Sequence, residues 1–172
     1  MTMLGRPHVL VTREGWYYLF VVLFIIGGSV LREVNLLVVL AGVMLAPVLF
    51  NWRLVARSMR KLDLRREMPQ RCEAGQPIRV RLTIRNEMPA ACWMLTAYDS
   101  VRRSRTRRRQ FVEVWFPHIP GNSTETAAYR LVLTERGKYR IGPLRIVSRF
   151  PFGLIRATVF HSFRRHVICL LY

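Results

Sequence analysis

The side chains that could do chemistry are few in this sequence, and their spacing does not group them. There are two aspartates, Asp63 and Asp99, and the eight glutamates are scattered without pairing. The four histidines lack the HxxxH or HExxH spacing that brings two ligands to one zinc ion. No phosphate loop, glycine-rich dinucleotide motif or nucleophile-elbow serine is present. The inventory predicts a protein that is not an enzyme and that takes no cofactor or metal ion.

The three cysteines, Cys72, Cys92 and Cys169, are widely spaced and odd in number. This pattern fits neither a disulfide framework nor a CxxC metal site. We therefore expect free, partly buried thiols in a reducing compartment.

The chain is strongly basic. It has 28 lysines and arginines against 10 acidic residues, a net charge of +18, and only Lys61 and Lys138 are lysines. Such a charge balance informs about partners rather than fold, and it suits anionic lipid, nucleic acid or an acidic protein. A second interpretation is that most of these arginines are simply solvated.

The densest basic run is SVRRSRTRRRQ, from Ser100 to Gln110. Its arginines are Arg102, Arg103, Arg105, Arg107, Arg108 and Arg109. We expect them to contact an anionic surface, either the membrane or an acidic partner. A nucleic-acid clamp is disfavoured because no aromatic side chain interleaves with the arginines to stack on bases. A solvated loop between two strands is the remaining alternative.

Two uncharged apolar runs, at 16–31 and 36–52, lie near the N-terminus with only four residues between them. They are at the short end of what spans a bilayer, but aromatic and arginine residues at their outer ends extend the usable length. The runs predict a transmembrane helical hairpin. A cleaved signal peptide is disfavoured because a second apolar run follows at once. A buried core hairpin would require both helices to be apolar all round.

Basic residues flank the outer ends of both runs and are nearly absent between them. The positive-inside bias then predicts a multi-pass protein of the bacterial inner (plasma) membrane with both termini in the cytoplasm. The predicted divisions are a cytoplasmic N-terminal tail at 1–15, the transmembrane hairpin at 16–52, a basic juxtamembrane linker at 53–69, a β-sandwich at 70–165 and a C-terminal tail at 166–172.

Beyond the hairpin the apolar period changes to two. In PIRVRLTIRN (77–86), apolar residues alternate with arginine and threonine, as in a half-buried strand. Further short strands, including separate ones at 138–141 and 144–149, predict an all-β antiparallel sandwich of the immunoglobulin-like type. We expect its outer face to be largely arginine: Arg79, Arg81, Arg85, Arg130, Arg140, Arg145 and Arg149.

The stretch RGKYRIGPLRIVSRFPFGLIRA (136–157) resembles the most distinctive segment of the domain of unknown function 58 family. The matching residues are Arg136, Gly137, Tyr139, Gly142, Pro143, Pro151, Phe152, Gly153 and Leu154. None is a nucleophile or base, so we expect structural roles, with Gly142 and Pro143 at a bend or bulge. An N-terminal hairpin of two membrane spans is also a feature of that family.

The resemblance implies association with ATPases of the MoxR-type AAA+ class and, in some members, with membrane transglutaminase-like proteins. It implies no catalytic residue. Two departures stand out: many members have aspartate where this chain has Phe150, and many continue into a von Willebrand factor A-like region. We therefore expect a short or truncated member.

These observations lead to one main hypothesis, a membrane-anchored, non-enzymatic interaction or scaffold module that works with a MoxR-type ATPase. The alternatives are a basic membrane-associated nucleic-acid-binding protein and a nonfunctional fragment of a longer protein.

Overall fold

The structure is a computed structural model that describes residues 7–32, 35–104, 109–162 and 164–170. Its helices are α1 (Arg13–Arg32) and α2 (Asn35–Ser58). Its strands are β1 (His8–Val11), β2 (Leu62–Glu67), β3 (Arg71–Glu73), β4 (Pro77–Asn86), β5 (Cys92–Arg103), β6 (Arg109–Ile119), β7 (Thr124–Val132), β8 (Gly137–Ser148), β9 (Ile155–His161) and β10 (Arg165–Leu170).

The two helices pack against each other, and the Tyr18 hydroxyl donates a 2.8 Å hydrogen bond to the Met44 carbonyl. Each helix is long and apolar enough to cross a membrane. Most of their large apolar side chains are exposed, and the exposed fractions of Phe20, Phe24 and Leu31 are 69%, 77% and 84%. This exposure is the opposite of what the core helix of a soluble protein shows.

Helix α2 does not end where the apolar run ends at Trp52 but continues to Ser58. Its last turns enter the β domain, where Val55 and the following Met59 are buried in the main core. The predicted linker at 53–69 is therefore wrong as a separate segment: it consists of the end of α2, a short turn and strand β2. Arginines at 53 and 57 are accommodated because they lie on the exposed side of the helix.

The strands form two sheets that pack face to face, so the domain is a β-sandwich. One sheet has the order β2-β4-β7. In the other, β8 is central: it pairs with β5 on one side and with β9 and β10 on the other, while β6, β1 and β3 lie outside these. The prediction of an antiparallel arrangement holds for the described strand pairs except β3–β10, which is parallel.

The core lies between the two sheets and follows the alternation seen in the sequence. In β4 the inward residues are Ile78, Val80, Leu82 and Ile84, all buried, and the arginines between them are exposed. The larger apolar cluster lies beside the helices and a smaller one lies toward the opposite end. The period-two prediction for this strand is confirmed.

Both predicted tails contain strands instead. Residues 8–11 form β1 and pair with β9, and residues 165–170 form β10, which pairs with β8 and β3. The prediction missed β10 because apolar residues follow one another there, so the inward Val167 and Cys169 do not stand out from their outward neighbours.

The predicted strands at 138–141 and 144–149 are one continuous strand, β8. Gly142 and Pro143 lie inside it, opposite a register shift between Asp99 and Val101 of β5. A bulge of this kind tolerates a residue that has no N–H to donate. The expectation of a bulge is confirmed, whereas the expectation of two separate strands is wrong.

The expected arginine face is confirmed only for the smaller sheet, whose outer side carries Arg79, Arg81, Arg85 and Arg130, all exposed. The outer side of the larger sheet is mixed. There Arg140, Arg145 and Arg149 share the surface with Tyr98 and with the exposed side chains of Phe111 and Trp115.

Candidate functional site at the two ends of strand β8

The residues that carry the family resemblance follow β8 from one end of the sandwich to the other. The sandwich has a helix-side end, where β5 begins at Cys92, and a tip, where β5 ends at Arg103. Because each strand residue advances the chain by about 3.3 Å, the tip lies about 36 Å along the strand from the helix-side end. The motif therefore joins two separate sites.

At the helix-side end, the turn after β8 holds the start of α1. Thr12 is the residue before the helix, and its hydroxyl donates to the carbonyls of Gly153 (2.7 Å) and Leu154 (3.0 Å). The same oxygen accepts a 3.1 Å hydrogen bond from the Gly15 N–H, which caps the helix. The Thr12 N–H also donates to the Leu154 carbonyl at 3.0 Å. The Pro-Phe-Gly-Leu sequence thus provides the acceptors that fix the helix to the sandwich.

Two glycines, Gly15 and Gly153, allow the start of α1 to lie close to the turn after β8. A Cβ atom on Gly15 would lie 2.2 Å from the Leu154 carbonyl oxygen, so no side chain fits there. Gly153 has φ 71°, in the left-handed region that favours glycine. On the other helix, the Cys92 thiol donates to the Ser58 carbonyl at 3.1 Å. Both helices are therefore attached at this end.

In the middle of the sandwich, a buried ion pair links the two sheets. Arg66 of β2 donates to both carboxylate oxygens of Asp99 on β5, at 2.8 and 3.0 Å. It also donates to the carbonyl of Ile141, beside the β8 bulge, at 3.0 Å. Tyr129 of β7 donates to the same carboxylate at 2.8 Å. We call Arg66, Asp99 and Tyr129 the inter-sheet clasp.

The clasp is dry. The side chains of Arg66 and Asp99 are only 3% and 0% exposed. Burial, followed by the charge of Asp99, raises the pKa of Tyr129, so its hydroxyl remains a hydrogen-bond donor. These groups satisfy one another inside the core, and the arrangement is that of a structural element.

At the tip, the start of β8 is fixed to the end of β5. Arg103 forms an ion pair with Glu135 and donates a 3.0 Å hydrogen bond to the Arg136 carbonyl. The Tyr139 hydroxyl donates to the Glu135 carbonyl at 2.9 Å. Gly137 has φ 142°, and a Cβ there would lie 3.4 Å from the Arg103 guanidinium. The Arg-Gly-x-Tyr part of the motif therefore shapes the tip.

Next to this contact, three arginines and a histidine lie in one row across four neighbouring strands. Arg102 of β5 is opposite Arg109 of β6 on one side and opposite Arg140 of β8 on the other, and Arg140 is opposite His166 of β10. Directly opposed residues in a sheet share a face, with Cβ atoms about 5 Å apart. We call Arg109, Arg102, Arg140 and His166 the cationic row.

A second row, closer to the helices, shows what charge compensation looks like on the same sheet. There Arg145 lies over the Tyr98 ring at 4.6 Å, and the Tyr98 hydroxyl donates to Glu113 at 3.2 Å. The row contains an acidic residue opposite the tyrosine. The cationic row contains no acidic residue among its four positions, and like charges placed opposite each other destabilise a sheet.

Beside the tip, between the sheets, there is a cleft of about 410 Å³. Its walls combine the apolar side chains of Val101 and Val132 with the polar groups of Arg103, Arg109 and Glu135. An extended, mixed polar and apolar segment would suit such a lining.

The predicted anion-contacting residues are placed only in part. Arg102, Arg103 and Arg109 lie at the tip, and Arg103 already has an acidic partner. Arg105, Arg107 and Arg108 lie outside the described residues. The predicted structural residues separate into three groups along β8: Arg136, Gly137 and Tyr139 at the tip, Gly142 and Pro143 at the bulge, and Pro151, Phe152, Gly153 and Leu154 at the helix-side end.

The three cysteines are free thiols. Burial raises the pKa of Cys72 and of Cys92 to about 11, which keeps both protonated and unreactive at neutral pH. In the part of the chain that the structure describes, no three His, Cys, Asp or Glu side chains are grouped to hold a metal ion.

Solved structures similar to this chain are distant in sequence. The CARDB domain of PF1109 from Pyrococcus furiosus is 9% identical, with 64% of this chain and 95% of that chain covered and a TM-score of 0.44. The superoxide reductase (neelaredoxin) of Ignicoccus hospitalis is 16% identical, with 62% and 80% covered and a TM-score of 0.41. The C-terminal domain of wzt is 7% identical, with 63% of this chain and 71% of that chain covered and a TM-score of 0.46. No protein-family model matches the chain, and no curated protein matches it.

Proposed function

We propose that this chain is a membrane-anchored, non-enzymatic docking module that presents a basic tip to an acidic partner in the cytoplasm. In this proposal α1 and α2 cross the bacterial inner membrane, with both termini on the cytoplasmic side. The large exposed apolar surface of both helices supports the proposal. So do the exposed Arg53, Arg57, Arg60 and Lys61 at and after the end of α2, which the positive-inside bias places in the cytoplasm.

The proposal includes an immunoglobulin-like class for the sandwich. Its support is the packing of two sheets of mostly antiparallel strands around one apolar core.

The single observation that carries the proposed function is the cationic row. Three arginines in direct register repel one another, and a repulsion of this kind is relieved by an anionic occupant, to which the neighbouring His166 can donate a hydrogen bond. Arg102 lies about 33 Å along β5 from the helix-side end. Attraction to an anionic leaflet falls off within a Debye length of about 8 Å. If the sandwich stands on its helix-side end, the row is therefore out of reach of the leaflet and serves a partner in the cytoplasm.

The partner class follows from the resemblance described above and from the chemistry of the tip. An acidic protein surface with an extended segment would place carboxylates on the cationic row and a side chain in the neighbouring cleft. A MoxR-type AAA+ ATPase is our first candidate, and a membrane transglutaminase-like protein is the second. Nucleic acid is the alternative partner: none of the four positions in the row is aromatic, but Phe111 and Trp115 are exposed on the same face of the sheet, where bases could stack on them.

The test is binding of a MoxR-type ATPase from the same genome to the full chain in lipid nanodiscs. An Arg102→Gln/Arg140→Gln variant removes two charge-assisted contacts and should lose at least about tenfold in affinity, the value of one of them. The matched control is Arg79→Gln/Arg81→Gln, which removes the same charge from the outer face of the other sheet and should bind like the parent. Equal binding by both variants would contradict the proposal.

Single-stranded DNA and an oligoglutamate peptide serve as competing probes in the same assay. If DNA binds to the row and oligoglutamate does not, the nucleic-acid alternative replaces the proposal. Topology is tested separately with an alkaline phosphatase fused to the C-terminus, which should stay inactive, since the enzyme requires export.

A further inference from the structure

Four large apolar side chains surround the helix-side end of the sandwich: Trp93, Met94, Phe150 and Phe152. We call them the helix-side rim. Trp93, Met94 and Phe152 are 44%, 50% and 54% exposed. Phe150 stacks on Trp93 with ring centroids 6.0 Å apart and planes at 25°. A group of exposed apolar side chains in one place marks a contact surface.

The backbone of the rim is irregular in a way that increases this exposure. Neighbours in a regular strand point to opposite faces, yet Trp93 and Met94 are both exposed. Met94 has φ 50°, a left-handed conformation that residues other than glycine rarely adopt. The ring of His118 also lies against Trp93, with centroids 4.0 Å apart. An outlier of this kind at an exposed surface points to a function of that surface.

The rim is level with the ends of both helices. Phe152 directly precedes Gly153, whose carbonyl accepts the hydrogen bond from Thr12 at the start of α1. Trp93 directly follows Cys92, whose thiol donates to the carbonyl of Ser58 at the end of α2. The rim thus lies at the level where both helices meet the sandwich.

Basic side chains accompany the rim. Arg149 is exposed next to Phe150, and Arg57, Arg60 and Lys61 are exposed where α2 ends. Tryptophan and other amphipathic side chains prefer the headgroup layer of a membrane, and basic side chains there attract anionic headgroups. Both the apolar and the charged groups therefore suit one occupant.

We propose that the helix-side rim inserts into the headgroup layer of the bilayer that holds α1 and α2, so that the sandwich stands upright on the membrane. This inference rests on the anchoring that the proposed function assigns to the helices. An upright sandwich holds the cationic row about 33 Å above the membrane surface, and the rim fixes that height by giving the domain a second attachment besides the helices.

The test uses single-tryptophan variants of the full chain in phosphatidylcholine and phosphatidylglycerol vesicles that contain a brominated lipid. A variant that keeps only Trp93 should lose most of its emission to bromine quenching. A Phe152→Trp variant without the four native tryptophans provides a second rim probe and should behave in the same way. Circular dichroism of each variant establishes that it is folded before quenching is compared.

Two positions farther along the sandwich provide matched controls on the same sheet. Trp115 is opposite Thr96, about 10 Å along the strand from Trp93, and Phe111 is opposite Ser100, about 23 Å along. Both are exposed. A variant that keeps only Trp115 should be quenched less than the rim probes, and a Phe111→Trp probe should keep its emission.

A fifth variant that keeps only Trp16 separates the two proposals, because it reports on α1 itself. If Trp16 is quenched and both rim probes are not, the rim inference is wrong and the anchoring stands. If Trp16 is not quenched either, the anchoring has failed. Equal quenching at the rim, at Trp115 and at position 111 would mean that the sandwich lies on its face, which also overturns the inference.

Discussion

Replacing Arg66 with methionine should remove a large part of the stability of the β domain. The side chain makes three hydrogen bonds, two of them to Asp99, in a place where neither partner is in contact with water. Breaking a buried pair by removing one partner costs about 3–5 kcal/mol, since the other charge stays buried. A domain of this size has about 5–15 kcal/mol of stability in total.

The structure provides a control on the same strand. Glu67 follows Arg66 directly and pairs with Arg81 at 3.5 Å, but these side chains are 66% and 51% exposed. An exposed pair of this kind contributes about 0–1 kcal/mol. An Arg81→Met variant should therefore unfold almost as the parent does, although it removes the same charge from a neighbouring pair.

A double variant tests whether the loss comes from the unpaired charge. With Asp99→Leu added to Arg66→Met, no charge is left buried, so the double variant should lose on the order of 2–3 kcal/mol less than the sum of the two single losses. The measurement is guanidinium unfolding of the full chain in detergent micelles, followed by tryptophan emission. Additive losses, or an Arg66→Met cost no larger than that of Arg81→Met, would refute the assignment of the clasp.

Three further outcomes are expected. Gly15→Ala should lower the free energy of unfolding by about 1–3 kcal/mol and expose the Pro-Phe-Gly turn to protease, because its Cβ would overlap the Leu154 carbonyl oxygen. Gly27→Ala is the control and should cost no stability, because no atom lies within 4 Å of its Cβ. Burial lowers the pKa of His161 in the folded chain, so on acidification the unfolded chain takes up the proton first. The stability should therefore fall as the pH drops below about 6.5, the ordinary pKa of histidine. Thermal melts at several pH values should show this slope for the parent and not for a His161→Gln variant. With maleimide at pH 7.5, the folded chain should leave the buried Cys92 unlabelled, and denaturant should expose it; rapid labelling of the folded chain would contradict the burial.

The helices and the first long strand were predictable because their signals are local. Two apolar runs in succession identify the helix pair, and the alternation in 77–86 identifies β4 with its inward and outward faces. The same reasoning ended α2 too early. Composition alone suggested that Arg53 leaves the helix, whereas the helix continues because Val55 packs into the sandwich.

The inter-sheet clasp was not predictable. Its two charged residues are 33 positions apart in the chain, and alternation indicates that a residue points inward without indicating which residue faces it. Asp99 appears in the sequence as one of two isolated aspartates. A buried carboxylate on an apolar strand requires a partner, and this was the one signal that could have directed attention to it.

The cationic row depends on the register between strands, which the sequence does not show. If the register that pairs Asp99 with Leu144 continued without the shift, Arg102 would meet Ile141, which is buried. The bulge shifts the register by one residue and brings Arg102 opposite Arg140. The glycine and proline of the bulge were recognised in the sequence, but their effect on two arginines was visible only in the fold.

Strand β8 has a mechanical consequence. It passes without interruption from Arg140 in the cationic row to the turn that holds the start of α1. A force that pulled on the tip would act along β8 and load the hydrogen bonds on both sides of the strand in shear, so that all of them would resist together. Under the proposed anchoring, tension at the tip would then reach the first helix directly, and work done there would be delivered to the bilayer.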